Sequence, residues 1–213
     1  MRTQALTAEE LLSQGMTELG LQHTTAEIAA FITYLGELRK WSRAYNLTGL
    51  KTDRDIVIKN FLDSLLFRTV LPAGVRSLAD IGSGAGFPGL PLKILDPALR
   101  LILIEPTEKK AAFLRHICSR LGLESVEVVN QRAEEVWGIQ AEVVVTRALF
   151  TVAELIKKAG HICAENGCMI LSKGPKLSEE LKDVTTEEIS VTDRELPFEH
   201  VVRHLVVVKK ASG

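Results

Sequence analysis

The sequence predicts an α/β fold: a mostly parallel seven-stranded sheet with helices on both faces, preceded by an N-terminal helical appendage. Three observations carry this expectation. Up to Pro72-Ala73-Gly74 the apolar residues recur at helical spacing. Beyond it, short apolar runs alternate with amphipathic ones, the rhythm of strands and helices in a parallel sheet. A glycine-rich loop joins the first apolar run to the helical pattern behind it. The 213 residues are 46% hydrophobic and 25% charged, enough apolar material for a sizeable core. The change of rhythm divides the chain into an appendage over 1–72 and a sheet domain over 73–213.

Taken in order, Thr7-Ala8-Glu9-Glu10 has the form of a capping box and opens a first helix with leucines at 11, 12 and 19. Thr24-Thr25-Ala26-Glu27 opens a second, with Ile28, Phe31, Ile32, Leu35 and Leu38 along one face. Asn46-Leu47-Thr48-Gly49 is a turn by composition, and Thr52-Asp53-Arg54-Asp55 starts a third helix through Ile56, Phe61, Leu62 and Leu65. Strands are expected at Ser77–Ile81, Leu101–Ile104, Val126–Val129, Val143–Val145 and Met169–Leu171. Two closing strands are expected around Glu187–Val191 and Leu205–Val208. Helices are expected over Leu90–Leu95, Glu108–Leu121, Val152–Ala159 and Lys176–Val184.

Several function classes fall away. The sequence has no apolar run long enough to span a membrane, and Met1 to Ser13 is too polar for a secretion signal. A cytoplasmic protein is therefore expected. Cys118, Cys163 and Cys168 form no C-x-x-C pair and read as buried small apolar residues, not as a disulfide framework or a metal site. Net charge is −1, yet Arg39 to Arg68 holds seven basic residues against three acids. That segment is the first candidate for phosphate contacts, through Arg39, Lys40, Arg43 and Lys59. A solvated helix face is the alternative.

The chemistry centres on Asp80-Ile81-Gly82-Ser83-Gly84-Ala85-Gly86, directly after the first strand. Loops at the carboxyl ends of strands in open α/β sheets are where ligands bind. A dinucleotide fingerprint would place a third glycine at position 87, where this chain has Phe87. The acid-x-G-x-G-x-G pattern instead resembles the first motif of Rossmann-like class I methyltransferases, whose cofactor is S-adenosyl-L-methionine. Glu105, ending the second strand, is placed to accept hydrogen bonds from ribose hydroxyls.

The run from Gly82 through Phe87-Pro88-Gly89-Leu90-Pro91 resembles the extended loop of the glucose-inhibited division protein B family, bacterial 16S rRNA guanine-N7 methyltransferases. Tyr45-Asn46-Leu47-Thr48, Leu62-Asp63-Ser64-Leu65, Thr146-Arg147-Ala148, Leu171-Ser172-Lys173-Gly174 and Arg203-His204-Leu205 agree in the same order. The resemblance implies cofactor contacts at Gly82, Gly84, Phe87, Ala133, Glu134 and Arg147, beside Glu105. It implies 16S rRNA or the small ribosomal subunit as partner; the sequence itself gives no reason to expect a metal or more than a single copy of the chain. Lys173 and Arg203 are further candidates for RNA phosphates, while His204 reads as a hydrogen-bonded structural residue. Trp41 and Tyr45 suit either base stacking or, for Trp41, a buried staple. One departure stands out: the family has Arg-His before Leu-Asp-Ser, where this chain has Lys59-Asn60.

No catalytic base is expected. Guanine N7 carries a lone pair and no proton, and the methyl sulfonium is already electrophilic, so alignment is the main requirement. Proximity and orientation of this kind supply roughly 7–11 kcal/mol. Two other readings remain open from the sequence: a methyltransferase for a small metabolite, and a non-catalytic ribosome-assembly factor with a vestigial cofactor site. A nicotinamide oxidoreductase is disfavoured by Phe87.

Overall fold

A computed structural model describes residues 6–147, 149–174, 177–181 and 188–210. Two helices open the chain, α1 (Ala8–Glu18) and α2 (Thr25–Tyr45), and each begins on the capping box read from the sequence. In both, the threonine hydroxyl accepts from the glutamate N–H three residues on, and the glutamate carboxylate accepts from the threonine N–H. α3 (Asp53–Ile56) widens into a π-helix over Val57–Leu62. The chain returns to α-helix in α4 (Asp63–Leu65) and tightens to a 3-10 turn over Leu66–Thr69.

The sheet contains β1 (Ser77–Ile81), β2 (Arg100–Ile104), β3 (Val126–Val129), β4 (Ala141–Arg147), β5 (Cys163–Lys173), β6 (Glu188–Leu196) and β7 (Val201–Lys209). Their order is β3-β2-β1-β4-β5-β7-β6, and β7 pairs antiparallel with both β5 and β6. Between the strands lie α5 (Gly89–Leu95), α6 (Glu108–Arg120), α7 (Val152–Ala159) and the short α8 (Leu177–Glu180). The order reverses at β1, whose neighbours are β2 and β4, so the loops after β1 and β4 share one edge.

Successive side chains of a strand point to opposite faces, and two cores follow from that period. Leu78, Leu101, Leu103, Val143 and Val145 pack with α5 and α6 on one face. Ala79, Ile81, Ile102, Ile104 and Val144 pack with α7 on the other. The N-terminal helices join the first core: Leu12, Met16, Phe31, Tyr34 and Leu38 belong to the same buried cluster as Leu90 and Phe113. Trp41 packs on Phe113 and His116 of α6, with ring centroids 5.5 and 5.0 Å away, so it acts as the staple.

Two expectations need correction. β5 starts at Cys163, well before Met169, because the polar Glu165, Asn166 and Gly167 lie in a strand that hydropathy misses. β6 and β7 are longer than the expected apolar segments, because an antiparallel hairpin with a solvated face admits Asp193, Arg194 and Glu195. The helix expected over Lys176–Val184 is present as Leu177–Glu180; Lys176 and residues 182–184 lie outside the described residues, as does Glu187. Cys118, Cys163 and Cys168 are all buried. Among the described residues no helix is long and apolar enough to cross a membrane.

Candidate active site

The site is built around the loop after β1. Gly82 has φ +69°, and a Cβ there would run into Leu149 Cδ2, so the tight turn out of the strand needs glycine. The Gly82 N–H donates to the Ile104 carbonyl at 2.8 Å, tying the loop to the end of β2. Glu105, 3% exposed, fastens the next turn: its Oε2 accepts from the Gly84 N–H at 2.9 Å and its Oε1 from the Thr107 N–H at 2.8 Å. A carboxylate offers about four acceptor positions, so each oxygen retains capacity for a further donor such as a sugar hydroxyl.

Asp80, the acid that opens the motif, is fully buried. Its Oδ2 accepts from the Gly89 N–H at 2.8 Å, while Oδ1 has no partner. Burial pushes its pKa up to about 7, against the opposing effects of the Gly89 N–H and of Arg147. An orphaned carboxylate oxygen, a glycine cradle and Glu105 together form a set of acceptors that fits an ammonium and a diol.

Arg147, the last residue of β4, does not project freely into the cleft. Its Nη1 donates to the Lys59 carbonyl at 2.6 Å and to Asp63 Oδ2 at 3.2 Å, and its Nη2 donates to Asn60 Oδ1 at 2.8 Å. The guanidinium carbon lies 5.2 Å from the centre of the Phe87 ring. All three acceptors come from the π-helix and the residue after it, where the widened turn brings them together on one guanidinium. Asp63, itself buried, also accepts from Arg203 Nε at 2.7 Å and so bridges two arginines.

These residues line a cavity of about 420 Å³ at the carboxyl ends of β4 and β5, formed by Lys59, Asp63, Arg147, Ser172, Lys173, Gly174 and Arg203. Its cations already face acids. Lys59 Nζ is 2.7 Å from Asp55 and 4.0 Å from Glu199, and Lys173 Nζ is 2.8 Å from Glu180 and donates to the Phe150 carbonyl. The hydrogen bond to Asp55 raises the Lys59 pKa, and the same bond holds the Asp55 carboxyl below its ordinary value.

The structure thus brings Gly82, Gly84, Phe87, Glu105 and Arg147 to one edge of the sheet and sets Lys59, Lys173 and Arg203 in the adjoining cavity. Ala133 is buried at the start of a 3-10 turn over Ala133–Glu135 after β3, and Glu134 pairs with Lys158 at 3.0 Å. The other basic candidates lie apart from that cavity. Arg39 pairs with Asp53 at 2.6 Å, Lys40 sits 3.9 Å from Glu37, and Arg43 lines a separate cavity of about 160 Å³ with Lys51 and Asn46. His204 is engaged with Asp193 at 2.6 Å. The sequence reading missed Tyr34, which packs behind the glycine loop, and the role of Asn60 and Asp63 as partners of Arg147. Nothing local marks those contacts, which join residues more than eighty positions apart.

Comparison with known proteins decides the family. The model described as rRNA small subunit methyltransferase G matches residues 27–206. This chain belongs to that family. Ribosomal RNA small subunit methyltransferase G of Nitrosospira multiformis is 37% identical over 94% of this chain and 96% of its own. Its namesake in Geotalea uraniireducens is also 37% identical, over 97% and 98%. Among solved structures, a SAM dependent methyltransferase from Aquifex aeolicus matches with TM-score 0.54 at 16% identity, covering 74% of this chain and 93% of that one. M. jannaschii TYW2 in complex with AdoMet matches with TM-score 0.53 at 15% identity, over 70% and 74%. At such identities the structural likeness shows the shared fold.

Proposed function

We propose that this family member methylates the N7 position of a guanine in the decoding-region loop of 16S rRNA, using S-adenosylmethionine, as a single cytoplasmic copy acting on the RNA or the small ribosomal subunit. The observation that carries the reading is the position of the cationic cavity, directly beside the glycine loop where the strands end. Bound at that loop, S-adenosylmethionine supplies an electrophilic methyl group. Gly82 and Gly84 let the backbone approach the cofactor, and Glu105 receives the ribose hydroxyls with its remaining lone pairs. Ala133 and Glu134 flank the adenine, and Phe87 and Arg147 bound the methionine end.

The cavity chemistry suits a nucleophile that needs no deprotonation. No histidine lines it among the described residues, and its one carboxylate, Asp63, is engaged by two arginines. A base with a free lone pair reacts there once it is aligned. Reaching such a site requires the target base to leave its stack. Lys59, Lys173 and Arg203 then meet the phosphates beside it, exchanging acidic partners for RNA, and Arg39, Lys40 and Arg43 meet more distant ones.

The test is incubation with tritiated S-adenosylmethionine and small ribosomal subunits, their precursor particles or free 16S rRNA, followed by digestion and mapping of the label. Label on one guanine as N7-methylguanine supports the proposal. Measurable cofactor binding with no incorporation into any of these RNAs contradicts it.

A further inference from the structure

We infer that Tyr34 is a positioning residue for the cofactor loop: from α2, its hydroxyl holds the Ala85 carbonyl while its ring backs Phe87. The inference rests on the reading of that loop as the cofactor site.

Tyr34 is fully buried, and a buried phenol requires a partner for its O–H. That partner is a backbone carbonyl in the middle of the glycine loop, fifty-one positions along the chain. The Tyr34 ring stacks on Phe87 with centroids 5.5 Å apart and planes 13° from parallel, and it also packs on Phe61 and Phe113. Gly86 completes the contact. Its φ is +99°, and a Cβ there would come within 2.6 Å of the Tyr34 Oη, so the loop backbone lies directly against the phenol.

Such a loop needs an external tie. Three glycines in five residues leave the segment with many accessible conformations, and its internal fastening is the acceptance of the Gly86 and Phe87 N–H groups by the Ser83 carbonyl, at 2.7 and 2.9 Å. Glu105 fixes the Gly84 side from the cleft, and Tyr34 fixes the Ala85 side from the core. Burial raises the phenol pKa well above its ordinary value, so the group remains a donor throughout the working pH range. A loop ordered before the cofactor arrives binds it more tightly than one ordered on binding. The N-terminal helices thereby set cofactor affinity without touching the cofactor.

The test is Tyr34→Phe, which keeps the ring and removes the hydroxyl. Wild-type and variant chains are titrated with S-adenosylhomocysteine by calorimetry, and methylation of small subunits is measured over a range of cofactor concentrations. We expect Kd and the cofactor KM to rise about fivefold to tenfold, with kcat at saturating cofactor and the KM for subunits within twofold of wild type. Amide hydrogen exchange should accelerate over residues 82–87 while β4 stays protected. An unchanged Kd with a lowered melting temperature, or exchange that rises uniformly or not at all, would overturn the inference and leave Tyr34 a core residue. A wild-type chain that fails to bind S-adenosylhomocysteine would instead refute the loop as cofactor site.

Discussion

The two walls of the cleft are made in different ways. The wall formed by the loop after β1 draws on Asp80 to Phe87, consecutive in the chain, and is fastened from outside by Glu105, the Ile104 carbonyl and the Tyr34 hydroxyl. The opposite wall, at Arg147, is held by Lys59, Asn60 and Asp63, and Asp63 is shared with Arg203 near the other end of the chain. The first wall depends on backbone shape and hence on glycine. The second depends on charge and hydrogen bonding across elements that meet only in the folded chain. A change to the first should act through sterics, and a change to the second through an uncompensated polar group.

The sharpest attack on the first wall is Gly82→Val. It forces a β-branched side chain into a left-handed turn and against Leu149. We expect S-adenosylhomocysteine affinity to fall by more than a hundredfold, measured by calorimetry. Near-normal affinity would mean that the loop can refold around the side chain. The corresponding change to the second wall is Arg147→Met. It leaves the buried Asp63 with Arg203 alone, and we expect a loss on the order of 2 kcal/mol in stability, below the 3–5 kcal/mol typical of a buried pair stripped of its only partner. Methylation should fall by roughly a hundredfold, as for loss of a preorganised electrostatic group, measured as kcat/KM for the cofactor; a loss confined to stability would remove Arg147 from the cleft's function.

Asp80 gives a pH test of the first wall. With a folded pKa of about 7 against an ordinary 3.8, the native chain holds a proton that the unfolded chain releases in that interval. This group's contribution to stability is therefore complete below about pH 4 and is lost as pH rises through about 7. Melting curves between pH 5 and 8 should show a downward slope that Asp80→Asn removes, and identical slopes would contradict the burial argument. The smallest effect concerns the core behind both walls. Burial pushes the Cys118 thiol up to about 11, and Cys168 is raised in the same direction, so alkylation at pH 8 should be slow until the chain unfolds. Rapid labelling of native protein would show that the helices open.

The difference between the walls also explains what could be read in advance. The glycine loop, Glu105 at a strand end and both capping boxes are short-range patterns whose meaning follows from local backbone chemistry. Arg147 could be picked out by its place at the end of β4, but its partners could not, because no periodicity connects position 147 with 59 to 63. Tyr34 reads as one more apolar position on an amphipathic helix until its hydroxyl is seen against Ala85. The polar start of β5 and the long β6–β7 hairpin escaped for a related reason: pairing there rests on backbone bonds that hydropathy does not record.

Among the described residues Asn60 reaches the cleft only by accepting from Arg147 Nη2, so its effect should pass through that arginine. A double-mutant cycle of Asn60→Leu and Arg147→Met, read as kcat/KM for the cofactor in subunit methylation, tests it most directly. We expect Asn60→Leu alone to cost about tenfold, the scale of a hydrogen bond to a charged group, and to cost almost nothing further once Arg147 is gone. Two losses that simply multiply would contradict the claim, placing Asn60 and Arg147 in separate roles.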